Sequence, residues 1–268
     1  MTSTRIEYRD VSKRFPAHNG SAGNEGRVTA VQDVSFTIAD GEVVSLIGPS
    51  GCGKSTLLNM GSGLYQPSDG SVYVDNELVD SPNAHVAFML QKDLLLPWRT
   101  IRQNVELGLE IRGVPKTERR ARSTRLLEKC HLSAFVNHYP HQLSGGMRQR
   151  AALARTLAVD PTVLLLDEPF SALDAQTKMI LQQDLAQTLY EEGKTALFIT
   201  HDLVESVALS DRILVMSQRP GRIVKEINVD LPDRADPMNR RKHGTVGDYV
   251  RDLMALLHVD DHVADERI

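Results

Sequence analysis

Short apolar runs alternate with amphipathic stretches along most of the chain. Nearly continuous runs rich in β-branched residues are typical of strands that are buried on both faces of a parallel sheet. They predict strands at Val43–Ile47, Val86–Leu90, Val163–Leu166, Ala196–Ile199 and Ile213–Met216. The intervening segments predict helices at Lys54–Met60, Lys116–Leu132, Gly145–Ala158, Ala175–Glu192 and Leu203–Leu209. This alternation indicates the α/β class.

Two internal regions interrupt the alternation, and the end of the chain differs again. Ala17–Arg27 is rich in Gly, Ser and Asn without an apolar period, which predicts a surface loop. Gln91–His141 has little strand character and predicts a mostly helical insertion. Beyond Arg219 the chain is polar and contains Pro, and an amphipathic helical pattern returns at Val246–Leu257.

Composition and charge limit the ligands that the protein could bind and the compartment in which we expect it. A net charge of −4 argues against a nucleic-acid groove, which usually shows as a basic excess. Cys52 and Cys130 are the only cysteines, so we expect no disulfide framework and a reducing compartment. The N-terminal residues lack the apolar core of a signal peptide, and no apolar run exceeds five residues, whereas a membrane span needs about 20. We therefore expect a cytoplasmic protein that reaches a membrane only through other subunits.

A phosphate-binding loop follows the first buried strand. Its motif is G-x-x-x-x-G-K-[ST], between a strand and a helix, and reads Gly48-Pro49-Ser50-Gly51-Cys52-Gly53-Lys54-Ser55, with Thr56 as a further candidate ligand. Glycines let consecutive backbone N–H groups converge on one anion, and the helix N-terminus adds a partial positive charge. Lys54 can reach the β- and γ-phosphates, and Ser55 can bind Mg²⁺. Cys52 is expected to be a small filler.

An acidic pair ends a later apolar strand. Asp167 and Glu168 follow Val163–Leu166, and the carboxyl edge of a parallel sheet is where α/β proteins bind ligands. Asp167 would hold Mg²⁺, and Glu168 would orient and activate a water molecule. Taken alone, the pair also fits a solvated turn, but a phosphate loop in the same chain favours the functional interpretation.

A second predicted helix N-terminus carries the stretch Leu143-Ser144-Gly145-Gly146-Met147-Arg148-Gln149-Arg150. Ser144 is a good N-cap, and the two glycines leave the first helical N–H groups accessible to an anion. In isolation the stretch also fits a flexible cap without a ligand. It resembles the signature motif of the ATP-binding-cassette (ABC) transporter ATPases.

The other motifs of that family occur in the expected order over about residues 5–225. Gln91 resembles the Q-loop glutamine, Ser171-Ala172-Leu173-Asp174 the D-loop, and His201 the switch histidine. Phe15 lies where the family places an aromatic ring that stacks on adenine; the more common residue there is tyrosine, and stacking does not need its hydroxyl. Met147 stands where glutamine is more common. We expect both departures to be tolerated.

The resemblance implies an ABC cassette: a P-loop NTPase-like core of mostly parallel sheet, an antiparallel β edge and a helical insertion. It implies ATP and Mg²⁺ as ligands, with Ser55, Gln91 and Asp167 at the metal and with Lys54, Glu168 and His201 as catalytic residues. The predicted segments are 1–90 and 159–225 for the nucleotide-binding core, 91–158 for the Q-loop and helical subdomain, and 226–268 for a partly helical tail.

The resemblance also implies partners. Two cassettes, expected to be a homodimer, would pair head-to-tail with ATP between the P-loop of one and the signature of the other. They would dock on membrane-spanning permease subunits at the cytoplasmic face, and an importer would also use an extracytoplasmic solute-binding protein. The segments Leu95–Arg99 and Ser217–Ile223 resemble ATPases of the nitrate, sulfonate and taurine importers, whose relatives also carry vitamin precursors.

Three other functions deserve comparison. An exporter or lipid-transport ATPase would use the same chemistry with a different partner. A soluble ABC ATPase of the ribosome-associated type would need two fused cassettes, and the DNA-repair type would need a long coiled coil that Gln91–His141 is too short to form. A P-loop kinase would have no use for the signature motif or His201.

Overall fold

The computed structural model describes residues 3–16 and 26–257, so most of the predicted Ala17–Arg27 loop lies outside it. Its last residue, Arg27, does not belong to a loop but begins a strand. The strands are β1 Thr4–Pro16, β2 Arg27–Ala39, β3 Val43–Ile47, β4 Asp69–Val74, β5 Glu77–Leu78, β6 Val86–Met89, β7 Val163–Asp167, β8 Thr195–Ile199, β9 Arg212–Met216 and β10 Ile223–Asn228.

The helices are α1 Lys54–Gly61, α2 Ile101–Ile111, α3 Lys116–Lys129, α4 Gly145–Ala158, α5 Ala175–Glu191, α6 Leu203–Leu209, α7 Pro237–Arg240 and α8 Val246–Leu256. Short 3₁₀ turns lie at Ser133–Phe135 and Pro140–Gln142. The predicted strands and helices are all present, with ends that differ by at most three residues.

The main sheet has six strands in the order β10-β9-β3-β8-β7-β6, and all pairs except β10–β9 are parallel. Its central strands β3, β7 and β8 are buried over their whole length. That burial explains their continuous apolar runs, because a strand that is covered on both faces has no polar side. The α/β class is confirmed.

The predicted antiparallel edge is present as β10, and four further antiparallel strands form a separate sheet in the order β2-β1-β4-β5. Helix α1 lies between the two sheets, with Leu57, Leu58 and Met60 in the cluster that also contains Ile6 of β1 and Leu165 of β7. The Tyr8 hydroxyl donates a hydrogen bond to the Leu57 carbonyl at 2.8 Å, and burial raises the pKa of this phenol. The helix after the phosphate loop is thereby fixed from both sides.

The other face of the main sheet carries the helical region. Leu164 and Leu166 of β7 share a buried cluster with Val105 of α2, Leu127 of α3 and Ala154 of α4. Helices α2 and α3 confirm the predicted mostly helical insertion, although α2 itself was not among the predicted helices.

The residues after β9 pack against the end of the main sheet. Val229, Val246 and Leu253 are buried together with Ile47 and Val207. Strand β10 crosses the predicted 225/226 boundary, so the helices α7 and α8 follow a strand of the core sheet directly.

The buried Asn104 fixes the loop before α2. Its side chain accepts a hydrogen bond from the Leu96 amide at 2.7 Å and donates to the carbonyls of Leu96, Arg99 and Thr100 at 3.2, 3.1 and 3.0 Å. The loop that it fixes presents Trp98, which is 71% exposed.

Replacing Asn104 by Leu, which has a similar shape, removes these bonds and takes the side-chain partner from the partly buried Leu96 amide and Arg99 carbonyl. We expect a loss of about 2 to 4 kcal/mol in the free energy of unfolding, measured by urea denaturation. Asn228→Ala on the exposed end of β10 is the control and should change it by less than about 0.5 kcal/mol. Equal stability of the two variants would show that the Asn104 bonds contribute nothing.

Candidate functional site

The parallel strands bring the predicted site residues to one edge of the main sheet. Met89 pairs in register with Leu166, Asp167 with Ile199, and Ile47 with Val215. The chain after each of these strands therefore emerges at the same edge, where α/β sheets bind ligands. Gln91, the phosphate loop, Glu168 and His201 all follow such strand ends.

The phosphate loop turns between β3 and α1 through backbone conformations that favour glycine. Gly51 and Gly53 have φ of 74° and 106°. A Cβ on Gly53 would lie 2.4 Å from Val31 Cγ1, so only glycine fits between the loop and β2. The Lys54 ammonium donates to the carbonyls of Gly48 at 2.7 Å and Pro49 at 2.9 Å. The lysine is thus folded back over its own loop, and Cys52 is buried beneath it as the expected filler.

A cavity opens in front of this loop. Predicted residues on its walls are Ser50, Gly51, Gly53, Lys54, Ser55, Thr56, Gln91, Asp167 and Glu168. Ile199 and Arg219 complete the lining and were not predicted. The structure thus brings together three motifs that are far apart in sequence.

Glu168 is the meeting point of the polar side chains in the cavity. Its carboxylate accepts a hydrogen bond from Gln91 Nε2 at 3.1 Å, and His201 Nδ1 lies 3.5 Å from its other oxygen. The backbone of Glu168 has a φ of 49°, which is uncommon for a residue with a side chain, and its amide donates to the Ile199 carbonyl at 3.1 Å. The turn therefore holds this carboxylate between β7 and β8.

Asp167 ends β7 and is 7% exposed. Burial raises the pKa of its carboxyl, while the Ser55 hydroxyl and the Lys54 ammonium act in the opposite direction. A cation beside this carboxylate would offset its desolvation. Asp167, Ser55 and Gln91 offer carboxylate, hydroxyl and amide oxygens, which are the donors that Mg²⁺ prefers. The residues present fit a magnesium ion.

The signature stretch begins helix α4 as expected. The Ser144 side chain accepts a hydrogen bond from the Met147 amide at 3.3 Å, and Ser144 and Gly145 are exposed. Among the described residues, none of 143–150 lines the phosphate-loop cavity. Within one copy, the two predicted anion-binding helix ends therefore do not face the same space.

The Q-loop and the signature helix are joined by hydrogen bonds. Arg148 Nε contacts the Asp93 carboxylate at 2.9 Å, and Arg155 donates to the carbonyls of Asp93 and Leu94 at 2.6 and 2.8 Å. Two residues after Gln91, the chain is therefore attached to helix α4. A displacement of Gln91 would be passed on to that helix.

The D-loop lies against the same helix. A Cβ on Gly146 would be 3.3 Å from the Ala172 carbonyl oxygen, so the two segments are in close contact. Asp174 N-caps α5 by accepting from the Thr177 amide at 3.0 Å, and this hydrogen bond lowers the pKa of Asp174. In this structure Asp174 serves as a helix cap.

Phe15 is outside the cavity lining, at the end of β1. Its ring packs edge-on against Tyr65 with centroids 5.8 Å apart, and Lys13 Nζ lies 5.4 Å from the Phe15 centroid. Tyr65 is 42% exposed and was not predicted from the sequence. The neighbourhood therefore offers two aromatic rings to a planar base.

Most of the chain is similar to known ATP-binding proteins. The ABC transporter family model matches residues 31–171. An uncharacterised ABC transporter ATP-binding protein of Methanocaldococcus jannaschii is 46% identical over 208 residues, 78% of each chain. The taurine import ATP-binding protein TauB of Yersinia pestis is also 46% identical, over 76% of this chain and 80% of its own.

Solved structures agree with the fold. A bacterial ABC transporter cassette solved as a dimer superposes with a TM-score of 0.76 at 34% identity, covering 84% of this chain and 98% of the other. A dimeric cassette in a post-hydrolysis state with ADP and Pi gives a TM-score of 0.74 at 33% identity, with the same coverage. No helix in the described ranges combines the length and apolar character needed to cross a bilayer. The chain belongs to the ABC transporter ATP-binding family, and it is the ATPase subunit of a transporter.

Proposed function

We propose that this subunit powers the import of a small solute by hydrolysing ATP at sites shared between two head-to-tail copies. The observation that carries the proposal is the separation of the two anion-binding helix ends. Within one copy the cavity walls come from the phosphate loop, Gln91, Glu168 and their neighbours, and the exposed Ser144 end of α4 faces elsewhere. A second copy can bring its own Ser144 to the open side.

The proposed role of each site residue follows from its chemistry and its position. Lys54 and the loop amides would bind the β- and γ-phosphates, and the Ser144 hydroxyl with the Gly145 and Gly146 amides would contact the γ-phosphate from the second copy. A magnesium ion at Ser55, Gln91 and Asp167 would neutralise developing phosphate charge.

Glu168 would act on water. Its carboxylate can accept a proton as the water oxygen forms a bond to the γ-phosphorus and the bond to ADP breaks. Gln91 and His201 already contact this carboxylate, and His201, with a side chain 69% exposed, can turn toward the γ-phosphate. Phe15 would stack on the adenine, with Tyr65 beside it.

The same contacts suggest how hydrolysis reaches a membrane partner. Arg148 and Arg155 of α4 bind the segment just after Gln91. A movement of Gln91 on loss of the γ-phosphate would therefore displace the helical region. That region carries a groove lined by Trp98, Arg102, Glu106 and Arg119. We propose that permease subunits dock there, which would place the chain at the cytoplasmic face of the membrane.

The proposed solute follows from relatives rather than from the site. TauB, at 46% identity, is named for taurine import, and this chain carries the two importer-like segments. We propose a nitrate, sulfonate or taurine-like solute, or a vitamin precursor, delivered by an extracytoplasmic binding protein. The cavity is proposed to bind ATP and not this solute, so the residues described above would not select the solute.

Glu168→Gln should remove the proton acceptor while keeping the shape of the site. We expect ATP turnover to fall at least about 100-fold, with ATP-bound dimers accumulating in gel filtration. The exposed Glu118→Gln on α3 is the control and should match wild type. Wild-type turnover in the Glu168 variant would rule out this residue as the catalytic carboxylate.

Mixing two inactive variants tests the head-to-tail arrangement. Lys54→Ala damages the phosphate loop, and Ser144→Arg blocks the signature. In a mixed dimer, one of the two composite sites would contain both intact motifs. Random pairing should then restore about a quarter of wild-type turnover per chain. Sites that are complete within one copy would give no recovery at any mixing ratio.

Reconstitution tests the transport role. In liposomes, the chain with its permease subunits and binding protein should move solute inward at the expense of ATP, and the chain alone should move none. Trp98→Ala should lower transport while leaving the ATPase rate of the isolated chain unchanged. Exposed Tyr190→Ala on α5 is the control. Solute flux without permease subunits would contradict the proposal.

A further inference from the structure

A surface hairpin contributes one basic residue to the nucleotide cavity. Arg219 lies between β9 and β10, and it is one of the residues that line the cavity, together with Ser50, Gly51 and Lys54. The sequence motifs of the site do not include it. Arg219 is exposed, and no carboxylate in residues 3–16 or 26–257 forms an ion pair with it.

The hairpin is attached closely to the underside of the phosphate loop. Gly221 pairs with β2 through its amide, which donates to the Ala30 carbonyl at 2.9 Å, and through its carbonyl, which accepts from Gln32 at 3.0 Å. A Cβ on Gly221 would lie 2.0 Å from the Cys52 carbonyl oxygen, so the two backbones are in direct contact. The position of the hairpin is therefore tied to that of the loop.

The tip of the hairpin is also ordered internally. The Ser217 amide donates to the Arg222 carbonyl at 2.9 Å, and the Ser217 hydroxyl donates to the Pro220 carbonyl at 3.2 Å and accepts from the Arg222 amide at 3.1 Å. Arg219 thus extends from a braced turn, which reduces the entropy lost when its guanidinium binds an anion.

The charges around the cavity favour a contact between the Arg219 guanidinium and an anion. Lys54 and Arg219 are the cations of the cavity, and Lys54 is folded onto the carbonyls of Gly48 and Pro49. The phosphate loop follows β3, and Arg219 follows β9 on one side of β3 in the sheet. Asp167 and Glu168 lie at the end of β7, on the other side of β3 beyond β8, so they add negative charge on the side of the loop opposite to Arg219. A triphosphate lying along the loop would meet these carboxylates on one side and the guanidinium on the other.

We propose that Arg219 binds the polyphosphate chain of the nucleotide, as a second cation beside Lys54. The proposal rests on the proposed ATP site and adds a ligand that comes from the β9–β10 hairpin. Guanidinium groups bind phosphate oxygens through charge-assisted hydrogen bonds, often two at a time.

Calorimetric titration tests the proposal with two probes in the presence of Mg²⁺: a non-hydrolysable ATP analogue and inorganic tripolyphosphate. Arg219→Gln should weaken both about tenfold. Arg219→Lys, which keeps the charge, should recover part of the loss. Arg222→Gln is the matched control, since Arg222 is exposed on the same hairpin, lies 3.9 Å from Asp33 and does not line the cavity.

Two results would overturn the proposal. One is wild-type affinity for both probes in Arg219→Gln; the other is weaker binding of the ATP analogue with unchanged tripolyphosphate binding, because the side chain would then act on the nucleoside. The Lys54→Ala variant distinguishes failure of the Arg219 proposal from failure of the proposed ATP site. If wild type binds the probes and Lys54→Ala does not, the ATP site stands whatever Arg219→Gln does. If wild type binds neither, the proposed function fails first.

Discussion

The parallel register of β3, β6, β7 and β8 determines where the predicted site residues of this protein lie. These strands are fixed against one another by backbone hydrogen bonds and by apolar side chains on both faces. Since every strand points the same way, the residues that follow them gather at one edge. This edge holds the phosphate loop, Gln91, Glu168 and His201, although they are far apart in the sequence. A one-residue slip of β7 would exchange the faces of its buried side chains and displace Asp167 and Glu168 together.

The helical region contributes the second predicted anion-binding helix end, which does not line the cavity. Arg148 and Arg155 bind it to the Q-loop segment, and the D-loop packs against Gly146, so α4 is joined to the nucleotide cavity without forming part of its wall. This arrangement suits a subunit whose site is completed by another copy. When the γ-phosphate leaves, the contacts between the two copies can then change together with the contacts between the Q-loop segment and α4.

Sequence patterns predicted the parts of the fold that are buried on both sides. Continuous apolar runs identified the parallel strands, and Ser144 was predicted as a helix N-cap, which the structure confirms. The antiparallel sheet was harder to predict from residues alone, because β2 alternates buried and exposed positions and contains no continuous apolar run. The position of Arg219 at the cavity could not be predicted from a turn sequence, because it depends on the contact between Gly221 and Cys52, which are far apart in the chain. Tyr65 was missed for a similar reason, since only the fold brings it to Phe15.

The proposed mechanism depends above all on ATP binding between two copies of this chain. The most direct measurement is a crystal structure of the Glu168→Gln variant with ATP and Mg²⁺. We expect a two-fold symmetric pair in which each γ-phosphate contacts Lys54 of one copy and Ser144 of the other. An ATP molecule enclosed by a single copy, with both Ser144 side chains distant from every phosphate, would contradict it.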